Sequence, residues 1–182
     1  MQTKYVYIML SNTYSLPTRA IGLYTRAPYN HVSIALDGQL NEMYSFGRRR
    51  PEWPLPGGFV QEKQREGTFA RFKDTLCAIY RLEVSQEEYA RIKAAIAEFQ
   101  REPDSYYFNL LGFAGLAAGL PVERRYAYFC SQFVSTVLAK GGVKLVGKPP
   151  GLVKPSDFSQ CDKLTLIYEG RLADYEGAPT TA

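Results

Sequence analysis

The sequence predicts a fold of mixed α and β structure, with strands first and most of the helices after them. Three observations predict it. Val6, Ile8 and Leu10 alternate with Tyr5, Tyr7 and Met9, the period of a strand. Ser85-x-x-Glu88 forms a capping box ahead of a helical face made by Tyr89, Ile92, Ile96 and Phe99. Cys130, Phe133, Val134, Val137 and Leu138 then repeat at the helical period until Gly141-Gly142 stops them.

Taken in order, the first strand covers residues 5–10. Residues 11–30 carry Ser, Asn, Pro and Gly around a short apolar stretch, Ala20 to Tyr24, and read as a loop with one or two helical turns. Residues 31–36 and 39–46 read as two strands joined at Asp37-Gly38, a strong two-residue hairpin signal. The Gly-, Pro- and Arg-rich stretch 47–67 reads as a long loop of the kind that often borders a site. A strand over 75–84 precedes the Ser85 helix, which ends before Pro103. A second helix is expected from Tyr106 to about Gly119, and a last strand holds Leu164, Leu166 and Tyr168. The 182 residues suit one domain over 1–172, with 173–182 as a flexible tail.

Composition narrows the function classes. The net charge of +4 permits an anionic partner but does not by itself argue for nucleic acid, and no nucleic-acid motif is present. Cys77, Cys130 and Cys161 are too few and too widely spaced for a disulfide framework or a zinc site. No P-loop, dinucleotide fingerprint or G-x-S-x-G elbow occurs, and neither metal nor cofactor is expected. The N-terminus lacks the features of a signal peptide and no apolar run reaches spanning length, which predicts a cytoplasmic location.

Two residues stand out. His31 is the single histidine of the chain, and its side chain has the ordinary pKa best suited to proton transfer near neutrality. Cys130 opens a helix, where unpaired N–H groups and the macrodipole favour a thiolate. Across a two-residue turn Ser33 would face Glu42 and His31 would face Tyr44. Glu42 would then share the face of His31 and could fix its tautomer. That assignment depends on register, since a one-residue slip sends Glu42 to the opposite face. The backbone N–H of Cys130 or Ser131 would supply an oxyanion donor. Cys77 and Cys161 read as packing residues.

The segments Asn30-His31-Val32-Ser33-Ile34-Ala35-Leu36, Asn41-Glu42-Met43-Tyr44-Ser45-Phe46 and Tyr128-Phe129-Cys130-Ser131-Gln132-Phe133-Val134 resemble the circularly permuted branch of the NlpC-type papain-like cysteine hydrolases. That branch includes YiiX-type bacterial proteins and, more distantly, the lecithin:retinol acyltransferase family; in it the His strand precedes the Cys helix. The resemblance implies a small α+β fold, an antiparallel and partly barrel-like sheet with the nucleophile helix packed against it. It also implies Cys130 as nucleophile, His31 as base and Glu42 as the polar third residue, acting on an amide or ester through an acyl-enzyme. Tyr106 or Tyr107 would line the site, with Tyr107 taken as the substrate contact alongside Ser131. Arg48, in the run Arg48-Arg49-Arg50, would favour an anionic substrate if its loop covers the site. The expected function is a cysteine amidase or peptidase cleaving a peptidoglycan-type peptide or another small amide. The rival expectations are a lipid acyltransferase, phospholipase or thioesterase that touches a membrane through Phe108–Leu120, and a binding module that has lost activity.

Overall fold

A computed structural model describes residues 3–13, 27–50 and 52–178, with 53–56 described by their backbone. The expected helical turns around Ala20–Tyr24 lie outside these residues. Six strands form one antiparallel sheet in the order β4-β3-β2-β1-β5-β8. They are β1 (Lys4–Asn12), β2 (His31–Ala35), β3 (Met43–Arg50), β4 (Trp53–Glu62), β5 (Leu76–Val84) and β8 (Leu164–Arg171). A short parallel pair, β6 (Tyr107–Phe108) with β7 (Ala127–Tyr128), lies beside it. The helices are α1 (Gly67–Arg71), α2 (Gln86–Arg101), α3 (Leu110–Ala118), α4 (Cys130–Lys140) and α5 (Pro155–Phe158). This is the expected mixed α+β arrangement, but the sheet is open, with β4 and β8 at its edges, and does not close into a barrel.

Both faces of the sheet are buried. One carries Val6, Ile8, Val32, Ile34 and Phe46 against α2 and α4. The capping box of α2 forms as expected: Glu88 N–H donates to Ser85 Oγ and Ser85 N–H donates to the Glu88 carboxylate. Stacked and edge-on rings tie these layers together, with Phe99 of α2 at 5.0 Å from Phe133 of α4 and Phe46 of β3 at 5.3 Å from Phe133. That aromatic cluster holds α4 against β2 and β3.

The second face buries Met9, Ala35, Met43, Cys77 and Ile79 under Leu40, Leu172 and Tyr175. The chain end to residue 178 is therefore not the free tail expected from 173 onward. Tyr175 is buried and its hydroxyl donates to the Gly38 carbonyl at 2.8 Å. Gln64 Nε2 donates to the carbonyls of Leu172 and Tyr175.

Two other expectations are corrected. The stretch 47–67 is not a loop. Most of it extends β3 and forms β4, with Met43 opposite Glu62 and Gly47 opposite Gly58. Pro54 and Pro56 are tolerated because β4 is an edge strand, which supplies ladder N–H groups on one side only. Gly58 is required there: a Cβ would lie 2.6 Å from the Tyr106 carbonyl oxygen and 2.6 Å from Arg49 Nε. Arg49 uses that space to donate to Tyr106 O, Pro103 O and Asp104. The helix expected from Tyr106 starts only at Leu110, because Asn109 Oδ1 caps it by accepting from Gly112 N–H at 2.9 Å.

Candidate active site

His31 opens β2, and its side chain is largely buried. Its Nε2–H donates to Glu62 Oε1 at 2.9 Å, and Ser33 Oγ donates to the other oxygen, Oε2, at 2.5 Å. The register explains the meeting. Ile34 pairs with Tyr44 and Ala35 with Met43, and Met43 in turn faces Glu62. Continued along the strands, this alternation puts His31, Ser33, Ser45, Gly47 and Glu62 on one face. The small residues on β3 leave room for the carboxylate to cross. A Cβ on Gly47 would stand 3.5 Å from Glu62 Oε1, 3.5 Å from Ser45 Oγ and 3.6 Å from His31 Cε1. Ser45 Oγ faces the carboxylate but falls short of good hydrogen-bond geometry.

Cys130 is the first residue of α4 and is buried to 9 % exposure. Phe129 before it is extended, and no side chain caps the helix. Phe133 is the first residue in the ladder, its N–H bonding to Phe129 O at 2.9 Å, so the N–H groups of residues 130–132 stand ahead of it. The Cys130 side chain lies near enough to the His31 ring to act on its charge. With Nε2 taken by Glu62, Nδ1 is the ring nitrogen left for a second partner. His31 thus pairs with the Glu62 carboxylate and has the Cys130 thiol nearby.

Electrostatics follow from these neighbours. Burial works against the charged imidazole, but the Glu62 carboxylate and Cys130 outweigh it and raise the His31 pKa to about 10. Burial likewise opposes an ionised Glu62, and the charge of His31 with the hydrogen bonds from His31 and Ser33 holds it below the usual carboxylate range. The pair is therefore imidazolium and carboxylate at neutral pH. Cys77 has the opposite environment: burial in the second core, with the charge of Glu169, pushes its thiol up to about 12. Cys161 is half-buried and sits 3.5 Å from Leu145 O.

Glu42, expected beside His31, does not meet it. The connection between β2 and β3 is longer than two residues. The Asp37 carboxylate accepts from the N–H groups of Gln39, Asn41 and Glu42, and Leu36 N–H bonds to Glu42 O. Leu40, with φ 60°, tucks into the second core. The register therefore differs by an odd number from the expected one, and Glu42 moves off the His31 face. Its side chain is 46 % exposed and stands 3.8 Å from Lys93. Glu62, overlooked because 47–67 read as a loop, takes the place expected of Glu42. The visible signal was Phe59-Val60, a short β-favouring pair ahead of Gln61-Glu62, behind two prolines two positions apart.

The other candidates divide. Ser131 is buried and its hydroxyl donates to Val153 O at 2.6 Å, which leaves only its main-chain N–H for a substrate. Tyr107 is exposed on β6 opposite Ala127, and no described hydrogen bond or ring contact joins it to His31 or Cys130. Tyr106 belongs to the aromatic cluster, 4.7 Å from Phe99. Arg48 lies over the Phe72 ring at 5.3 Å, and burial followed by the charge of Arg71 lowers its pKa. Arg48 and Glu62 line the same cavity of about 300 Å³. Buried Asn109 and Gln132, which sequence reasoning passed over, tie the start of α3 to α4 through Asn109 Nδ2 and Gln132 Oε1 at 3.4 Å.

Among the described residues no helix is long and apolar enough to cross a membrane. Comparison of the chain with protein-family models and with curated proteins found no match.

Proposed function

We propose that this chain is a cysteine hydrolase, similar to the permuted NlpC-type papain-like enzymes, that cleaves an amide in a small peptide such as a peptidoglycan-type fragment. The observation that carries the reading is His31 paired with Glu62 and near Cys130, which opens an uncapped helix. The Cys130 sulfur, its proton held by His31, bonds to the substrate carbonyl carbon. The first-turn N–H groups of α4 face the oxygen that takes up the charge. The C–N bond then breaks as His31 gives its proton to the leaving nitrogen. Water attacks the acyl-enzyme while His31 takes its proton, which releases the acid and restores the thiolate. Glu62 keeps the imidazolium oriented through both halves and is supported by Ser33.

The test is alkylation by iodoacetamide at pH 6, read residue by residue by mass spectrometry. Cys130 is expected to react roughly tenfold or more faster than Cys161, with Cys77 silent. Cys130→Ala abolishes hydrolysis. Equal rates at Cys130 and Cys161 would remove the activated nucleophile and favour an inactive binding module.

A second reading, acyl transfer or hydrolysis on a lipid ester or thioester by the same pair, is favoured by the apolar exposed face of α3, whose start is tied to α4 beside Cys130.

A further inference from the structure

A water-facing helix ordinarily carries polar residues on its outer side, and a helix apolar all round is ordinarily covered. Helix α3 breaks that pattern. Its inner side packs Gly112, Gly115 and Leu116 into the protein. Its outer positions Leu110, Leu111, Ala114 and Ala118 are exposed, and not one is polar. Leu110 and Leu111 are 55 % and 60 % exposed, and Leu120, just past the helix end, is 62 % exposed. No charged residue occurs between Tyr106 and Val122.

Basic and aromatic groups border this ridge. Arg124 and Arg125 are exposed directly after it, beside a single acid, Glu123. The Arg125 guanidinium lies over the Tyr126 ring at 4.9 Å. Apolar side chains at the tip with arginine and tyrosine behind them match the layering of a lipid surface, acyl chains inside and anionic head groups outside. A second copy of the chain fits less well. Three leucines, each little more than half exposed, fall far short of the roughly 800 Å² per partner of a stable interface. Exposure above one half also makes them a ridge, where a partner helix would need a groove.

We infer that α3 and Leu120 form a peripheral docking edge that inserts into the surface of an anionic lipid bilayer, with Arg124 and Arg125 at the head groups. The edge is coupled to the chemistry. Asn109, which caps α3, bonds to Gln132 of α4 and to the Tyr128 carbonyl, and Phe113 meets the ring of Phe129, the residue before Cys130. Docking would hold the Cys130 end of α4 close to the bilayer. This rests on the proposed site for its purpose but not for its test.

Co-sedimentation of the full chain with phosphatidylcholine vesicles, with and without phosphatidylglycerol, tests it. Binding is expected to the mixed vesicles and to fall with salt. Leu111→Glu with Leu120→Glu should weaken it about tenfold or more. Arg124→Ala with Arg125→Ala should weaken binding to the mixed vesicles and leave the remaining apolar binding insensitive to salt. Both pairs are exposed, so folding is spared, and Cys130 alkylation should stay as in wild type. No binding to mixed vesicles, or binding that the leucine variant leaves unchanged, overturns the proposal. So does a concentration-dependent dimer in ultracentrifugation that the leucine variant abolishes. Loss of selective Cys130 alkylation in wild type would instead overturn the proposed hydrolase while leaving the docking result standing.

Discussion

The two ends of the β3–β4 hairpin's neighbourhood hold two glutamates with opposite surroundings. Glu42, at the mouth of the β2–β3 connection, is 46 % exposed and meets Lys93 across 3.8 Å. Glu62, at the end of β4, is 10 % exposed and receives His31 at 2.9 Å and Ser33 at 2.5 Å. The residue type is the same, and the strand that carries Met43 opposite Glu62 begins one residue after Glu42. The difference teaches that burial and register, not identity, decide which carboxylate can act on the imidazole.

The largest effect should come from breaking the buried side of that contrast. Glu62→Gln leaves His31 without its counter-charge and costs about 3 kcal/mol of stability, measured by denaturant unfolding at pH 6. It should also lower turnover by roughly a hundredfold or more, with the alkaline limb of the pH–rate profile displaced downward. The pH dependence of the stability loss sharpens the comparison. His31 is raised from 6.5 to about 10, so its contribution is full below 6.5, declines above it and is gone once the pH has passed about 10. Glu62 is lowered from 4.5, so its contribution is full above 4.5 and is lost as the pH falls through its folded value. The gap between wild type and Glu62→Gln should be widest between these limits and close toward both extremes. A gap that stays constant with pH would mean the pair is not ionised in the folded protein.

A smaller effect is expected at Ser33. Ser33→Ala removes one donor to the carboxylate, about 1.5 kcal/mol for a bond to a charged group, and should reduce kcat with KM little changed. Restoring the hydroxyl with Ser33→Thr should recover part of it if space allows. The smallest effect belongs to Glu42. Glu42→Gln breaks only an exposed pair and should change stability by less than about 0.5 kcal/mol and leave turnover unaltered. A large loss at Glu42 with none at Glu62 would reverse the comparison.

Much of the layout was legible before the fold. The alternation of β1, the capping box of α2 and the helical period from Cys130 all depend on neighbours a few residues apart, and each appears where expected. What failed depended on distant residues. Asp37-Gly38 signals a tight turn locally, but Leu40 gains burial in the second core by lengthening it. Pro54, Pro56, Gly57 and Gly58 argue for a loop locally, but an edge strand needs ladder N–H groups on one side only, and Gly58 admits Arg49 and Tyr106 at close range.

The sequence by itself determined that one imidazole was available, that Cys130 would begin a helix, and that strands would precede it. These are matters of composition and short-range periodicity. Only the tertiary structure decided which acid His31 would meet, since that choice rests on strand register, and register is set by which side chains the two cores can bury. It also decided that α3 would face outward on its apolar side, because an apolar helix has the same sequence whether its cover is protein or something beyond it.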